Sequence, residues 1–269
     1  MKLAIIGTGN MGGAIARGLI AAGSWQAGDL LCTVKSDSGL SRLQATLPGV
    51  QAGRDNRQAA READIILLAV KPWFIGSVME EIRPVLDFKR QLIISVAAGI
   101  SLCELEELLA APEAAEKPIL FRAIPNTAVE VLDGVTFICR QNATDEQTAL
   151  VHDLFAALGY TLVTDEQHLA AGTALASCGL AFAMRYIRAA MEGGVELGFR
   201  PEEAARIVEH TVHGAAGLLL QSGLHPEVAI DKVTTAGGIT IRGLNAMERS
   251  GFTAAVIDGL KNCHRSAGL

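Results

Sequence analysis

Aromatic side chains are scarce in this sequence: two Trp, two Tyr and eight Phe make up 4% of 269 residues. Few stacking platforms are therefore available for bases. The 23 Lys and Arg are outnumbered by 29 Asp and Glu, giving a formal charge of -6 with no basic cluster. Together these exclude binding to a DNA or RNA backbone as a primary task. Cysteines are few, odd in number and irregularly spaced (Cys32, Cys103, Cys139, Cys178, Cys263), which argues against a disulfide framework or a thiolate metal site. Long hydrophobic runs are also missing. The most apolar later stretch, Leu169 to Met184, has 16 residues before Arg185 and Arg188, against about 20 for a membrane span. It reads as a buried helix, expected to lie between subunits. The opening MKLAIIG ends in glycines and Asn10 and reads as a buried strand rather than a leader. The expectation is a soluble, cytoplasmic, globular protein with no membrane or nucleic-acid partner.

Half the residues are hydrophobic and 28 are glycine, so the chain can bury a large core on small side chains. Short continuous apolar runs at Leu3–Ile6, Leu30–Val34, Ile65–Val70 and Leu92–Val96 have strand length. Helical patterns separate them at Gly12–Ala22, near Leu40–Thr46, and at Phe74–Leu86. Continuous apolarity means burial on both faces, as in a parallel sheet covered by helices. Further strands are expected at Pro118–Ala123, Val135–Ile138 and Thr161–Val163, with a helix at Asp145–Leu158. After Thr164 only helical patterns follow: about Glu166–Leu197, Pro201–Gln221, Pro226–Val233, Ile239–Glu248 and Thr253–Arg265. The expected organisation is α/β over residues 1–164, a Rossmann-type dinucleotide-binding domain, then an all-helical domain over 165–269.

The most informative motif is Gly7-Thr8-Gly9-Asn10-Met11-Gly12, between the first strand and the first helix. Gly7 permits a tight turn, Gly9 lets a pyrophosphate approach the backbone, and Gly12 lets helix pack on strand. The helix start adds unpaired N–H groups and a positive dipole end. At the end of the second strand, Thr33-Val34-Lys35-Ser36 offers no acid for a ribose diol, though Asp37 comes one step later. Lys35 or Ser36 could receive a 2′-phosphate, which favours NADPH, with NADH as the alternative. Val70-Lys71-Pro72 and Ser95–Gly99 end further strands at the same edge, the latter in small residues with room for a nicotinamide. Lys71 reads either as a phosphate or proton-transfer group or as a solvated charge. Asn126, in Pro125-Asn126-Thr127, reads either as an amide partner for a ligand or as a turn former.

Other candidates have plainer explanations. His210 and His213 lack a third ligand for zinc, and Cys178 lacks a base to activate it. Gly193-Gly194 lowers helix propensity and implies either close helix packing or a break.

Several stretches taken together resemble the delta-1-pyrroline-5-carboxylate reductase family. They are IGTGNMGGAIARGL near the N-terminus, Asn56, AVKP at Ala69–Pro72, SVAAGI at Ser95–Ile100, and Arg122 with PNT at Pro125–Thr127. VHGAAGLLLQSGLHPE at Val212–Glu227 and AGGITIRGL at Ala236–Leu244 complete the set, which covers nearly the whole chain. The resemblance implies an NAD(P)H-dependent reductase of 1-pyrroline-5-carboxylate to L-proline, by hydride transfer to a cyclic iminium. It implies homodimers with intertwined C-terminal helices, which in many members assemble further, often as decamers. It places the cofactor along Gly7, Thr8, Gly9, Asn10, Met11, Gly12, Ser36, Asn56, Ala69, Val70, Lys71, Pro72, Ala97 and Ala98. It places the substrate at the Thr235–Thr240 loop. There the backbone N–H groups of Gly238, Ile239 and Thr240 would receive a carboxylate, with Gly237 and Gly238 allowing close approach. The Thr240 hydroxyl would meet the ring nitrogen, and Thr235 stands where the family has serine.

The sequence departs from the family at Ala176-Ser177-Cys178-Gly179-Leu180-Ala181-Phe182, where the family has Ser-Gly-Ser-Gly-Pro-Ala-Tyr. Two other readings therefore stay open. One is a reductase of a related cyclic imine or ketone; the other is a non-catalytic nucleotide-binding homologue.

Overall fold

The computed structural model describes residues 1–110 and 116–267. Two compact units divide the chain, one built on Met1–Ser177 and the other on Cys178–Ser266.

The first unit alternates strands and helices: β1 (Leu3–Ile6), α1 (Asn10–Ala21), β2 (Leu30–Thr33), α2 (Asp37–Thr46), β3 (Gln51–Gly53), α3 (Asn56–Glu62) and β4 (Ile65–Leu68). It continues with α4 (Ile75–Ile82), β5 (Leu92–Ser95), α5 (Leu102–Leu109), β6 (Ile119–Pro125), β7 (Gly134–Gln141), α6 (Asp145–Ala156), β8 (Gly159–Val163) and the short α7 (Leu169–Gly172). The eight strands form one sheet in the order β3-β2-β1-β4-β5-β6-β7-β8. Successive residues of β1 go to opposite faces, and both faces are covered. Leu3 and Ile5 join Ala14, Ile15 and Leu19 of α1 and Val151 and Phe155 of α6. Ala4 and Ile6 join Ala60 of α3, Met79 of α4 and Leu105 of α5. Continuous apolarity thus reports two-sided burial, as expected of a parallel sheet.

All pairings are parallel except β6 with β7, which run antiparallel from Leu120↔Gln141 to Pro125↔Thr136. Their connection is too short for a crossover helix, so the chain turns straight back. The strand order reverses between β2 and β4 on either side of β1, and the carboxyl ends there form the crevice where open α/β sheets bind ligands.

The compact unit extends to Ser177, past the boundary expected at 164, because α7 is held on the sheet. Leu169 is buried in the cluster of α3–α5, and a side chain at Gly172 would strike the Phe137 ring at 2.8 Å. The stretch Leu169–Met184 is not one uniform buried helix. A π-helical segment occupies Thr173–Cys178, and Leu175 and Met184 are exposed in the single chain.

The second unit holds α8 (Gly179–Glu196), α9 (Pro201–Ser222), α10 (Pro226–Lys232), α11 (Ile239–Arg249) and α12 (Phe252–Ala267). Pro201 occupies the first position of α9 and Glu203 bonds back to the Arg200 N–H, both ordinary helix-start devices. Gly194 lets α8 and α9 approach, since a Cβ there would lie 3.0 Å from that of Ala204. The ring of Phe182 covers Gly259 of α12 in the same manner.

Candidate active site

The turn after β1 is fixed from two sides. The N–H groups of Gly7 and Thr8 both donate to the Thr33 carbonyl at the end of β2, at 3.2 and 2.8 Å. The buried Thr8 hydroxyl donates to the Ile5 carbonyl at 3.2 Å. Gly7 has φ +92°, a conformation that side chains other than glycine's rarely adopt. A Cβ on Gly7 would lie 2.6 Å from Val70 Cγ1, and one on Gly12 would lie 2.7 Å from the Gly7 carbonyl oxygen. Gly9 is different: no neighbouring atom lies within 4 Å of a Cβ built there.

Gly7 and Gly12 therefore serve packing, while Gly9 keeps an open surface beside the helix start. No side chain caps α1 and no acid stands in its first turn. The amides of Asn10, Met11 and Gly12, which have no intrahelical partner, are thereby left to an anion. The donor set and the clear space at Gly9 fit a dinucleotide pyrophosphate.

Neighbouring strand ends complete the crevice. Ala69 N–H donates to the Ile6 carbonyl at 2.8 Å and Val96 N–H to the Leu68 carbonyl at 3.0 Å, which aligns the ends of β1, β4 and β5. Lys71 is exposed and precedes a single 3-10 turn, Pro72–Phe74. Ala97 is buried and Ala98 exposed at the end of β5. At the end of β2, Ser36 Oγ caps α2 by accepting from the Gly39 N–H at 3.1 Å. It also lies 3.1 Å from Ser38 Oγ. Lys35 Nζ sits 4.5 Å over the Phe74 ring, a cation–π contact. Asn56 is held at both ends: Thr33 Oγ1 donates to its Oδ1 at 2.7 Å, and its Nδ2 donates to Glu81 Oε2 at 2.9 Å. Arg54, which sequence reasoning missed, bonds Asp37 at 2.7 Å. The signal was weak because β3 is three residues long and carries no apolar run.

Asn126 behaves as the turn former. Its buried Oδ1 accepts from the N–H groups of Ala128 and Val135, both at 3.2 Å, and its Nδ2 donates to the Ala176 carbonyl at 3.2 Å. Arg122 pairs with Glu166 Oε1, which also accepts the Leu102 N–H that opens α5. That ion pair ties β6 to two other segments. Burial pushes the Cys32 thiol up to about 11, partly opposed by Thr8, so beneath the turn it stays protonated at neutral pH.

The Thr235–Thr240 loop belongs to the second unit. Gly238 N–H donates to the Thr235 carbonyl at 3.0 Å, closing a turn in which Gly237 has φ +69°. Of the three amides expected to take a carboxylate, that of Gly238 is thus already engaged. Those of Ile239 and Thr240 open α11, where Gly238 stands before the helix and no side chain caps it. Ile239 and Thr240 are exposed. A side chain on Gly238 would have to displace the Thr235 hydroxyl.

Residues 166–268 match the family described as pyrroline-5-carboxylate reductase dimerisation. Residues 2–99 match the family described as NADP oxidoreductase, coenzyme F420-dependent. Pyrroline-5-carboxylate reductase 2 of Dictyostelium discoideum is 36% identical over 274 residues, covering 96% of this chain and 89% of that protein. The chain belongs to the pyrroline-5-carboxylate reductase family. Pyrroline-5-carboxylate reductase 1 of the same organism is 35% identical over 96% of this chain, and the chain spans about half of that longer protein, 48%. Among solved structures, the Plasmodium falciparum pyrroline carboxylate reductase with NADP bound superposes with a TM-score of 0.87. The two share 26% identity over 99% of this chain and 97% of that one. Membership accounts for the order of the motifs along the whole chain, from the glycine turn to the Thr235–Thr240 loop.

Proposed function

We infer that this protein is an NADPH-dependent reductase that converts 1-pyrroline-5-carboxylate to L-proline as a homodimer. The observation that carries the reading is relatedness over 96% of the chain to proteins bearing that activity in their names. The glycine turn supports the cofactor half of it. When bound, NADPH supplies the hydride. The first-turn amides of α1 hold its pyrophosphate, with Gly9 leaving room. Ala97 and Ala98 end β5 without bulk, which leaves space for a planar ring.

The substrate half falls to the Thr235–Thr240 loop. Amides of Ile239 and Thr240, at the positive end of α11, receive the carboxylate. The Thr240 hydroxyl orients the ring nitrogen. A cyclic imine can be protonated before or on binding, so the chain needs no strong acid of its own. Its task is to hold the ring at about 3–3.5 Å from the reacting partner. We propose a cytoplasmic dimer as the basic unit here; the free thiols at all five cysteines suit a reducing compartment.

The test is NADPH oxidation with 1-pyrroline-5-carboxylate against piperideine carboxylates at equal concentration. Turnover of the five-membered ring at the higher kcat/KM is expected. Preference for the six-membered rings would favour the second reading, a related imine reductase, which the altered Ala176–Phe182 run suggests. Binding of NADPH with no turnover of any imine would overturn both.

A further inference from the structure

We propose that Arg54, held in place by Asp37, is the residue that gives this site its preference for a 2′-phosphorylated dinucleotide. This rests on the cofactor reading above. Thr33 pairs with Gly53 at the ends of β2 and β3, and Val34 N–H donates to the Gly53 carbonyl at 3.1 Å. Arg54 therefore emerges beside Val34–Ser36, where the second strand of a dinucleotide fold meets the adenosine ribose.

An acid near that point normally repels a phosphate, and Asp37 is such an acid. Arg54 Nη1 lies 2.7 Å from Asp37 Oδ1 and offsets its charge. The side chains are 50% and 86% exposed, so the pair adds little to the fold: exposed ion pairs contribute about 0–1 kcal/mol. It is better placed to meet a ligand.

The neighbouring groups are committed elsewhere. Lys35 lies over Phe74, Asp55 caps α3 through Gln58 N–H, and Asn56 bonds Thr33 and Glu81. Asp37 engages one guanidinium nitrogen of Arg54, leaving the Nε and Nη2 donors of the fork for phosphate oxygens. The hydroxyls of Ser36 and Ser38, 3.1 Å apart, add donors that suit the same anion.

Calorimetric titration of the full chain with NADPH, NADH, 2′,5′-ADP and 5′-ADP tests this without turnover. Wild type is expected to prefer NADPH over NADH. Arg54→Met should weaken NADPH and 2′,5′-ADP about tenfold, the scale of one charge-assisted hydrogen bond at a half-exposed site. NADH and 5′-ADP should stay within about twofold, since they offer Arg54 no anion. Arg54→Lys should retain most of the NADPH affinity, and added salt should shrink the gap between wild type and Arg54→Met. Unchanged NADPH affinity in Arg54→Met overturns the proposal. So does an equal loss for NADPH and NADH, which would assign Arg54 to the fold. If wild type binds neither dinucleotide, the cofactor reading itself fails and the proposal falls with it.

Discussion

The three glycines of the turn should respond differently to substitution, although one motif contains them all. At Gly7 the backbone sits at φ +92° and a Cβ would press on Val70 Cγ1 at 2.6 Å and the Ala69 carbonyl group at 3.0 Å. Left-handed backbone alone costs an L-residue roughly 1–2 kcal/mol. Gly12→Ala places a Cβ 2.7 Å from the Gly7 oxygen and 3.1 Å from both Ala69 Cβ and Ile5 Cγ2. Overpacking of that kind costs about 1–3 kcal/mol, because β1 and α1 must separate. Both variants should melt earlier with no ligand present. At Gly9 a Cβ meets no neighbouring atom within 4 Å, so Gly9→Val should melt closer to wild type than either. Its isopropyl group would instead fill the approach to the first-turn amides and remove binding of NADPH and NADH alike. Thermal melting with and without NADPH separates the cases: Gly9→Val loses the ligand-induced upward shift while its ligand-free midpoint falls least. Normal NADPH affinity in Gly9→Val would mean the phosphates bind elsewhere. A ligand-free midpoint as low as that of Gly12→Ala would mean Gly9 serves packing after all.

Three further outcomes are expected. Thr240→Ala should lower kcat/KM about tenfold, the worth of one hydrogen bond to a charged group, with NADPH affinity unchanged, while Thr240→Ser keeps most activity; equal loss in both would point to the methyl group. Arg17 bonds Glu130 through Nε and Nη2 and holds its carboxyl below the ordinary 4.5, so this contribution is present above that value and is lost as pH falls through the lower folded one. The melting gap between wild type and Glu130→Gln should therefore close on acidification, and a gap independent of pH would refute the link. Light scattering at micromolar concentration should give at least a dimer, as the exposed Leu175, Met184, Leu220 and Ile239 of the single chain call for cover; a clean 28.2 kDa species would contradict it.

What was legible in the sequence was whatever left an apolar trace. The strands β1, β2, β4 and β5 are buried throughout, so each shows as an apolar run of the right length. Strand β3 and helix α3, between β2 and β4, left none. In α3 only Ala59 and Ala60 are buried, too few for a stripe, and β3 is exposed or half-buried along its length. That gap hid Arg54, whose position follows only from the pairing of β3 with β2. Helix α5 was readable in principle, because Ser101 and Glu104 form a reciprocal cap, the signature of a helix start. The glycine turn was legible because Gly7 and Gly12 answer local steric demands. The engagement of Gly238 N–H was not, since it depends on how Gly237 turns.

Asn126 carries that lesson to the part of the sequence that departs from the family. Its type and position suit a ligand contact and a turn equally well, and its bonds to Ala128, Val135 and Ala176 show the turn. The bond to Ala176 also bears on the Ala176–Phe182 run. A π-helical segment widens the chain over Thr173–Cys178, and such segments gather at functional sites. Here Asn126 Nδ2 holds the Ala176 carbonyl, while Thr173 Oγ1 donates to the Leu169 carbonyl at 2.7 Å. Both bonds end on backbone oxygens, which every residue type supplies. Alanine in place of the family's serine at 176 therefore leaves this support untouched. Leucine in place of proline at 180 falls just past the π-helical segment, inside a helix that runs unbroken from Glu166 to Glu196, where it supplies a backbone N–H that proline lacks. At 176 the departure alters the side chain presented and not the backbone contact to Asn126. A change of preference among imines would therefore not trace to a lost Asn126 contact at 176.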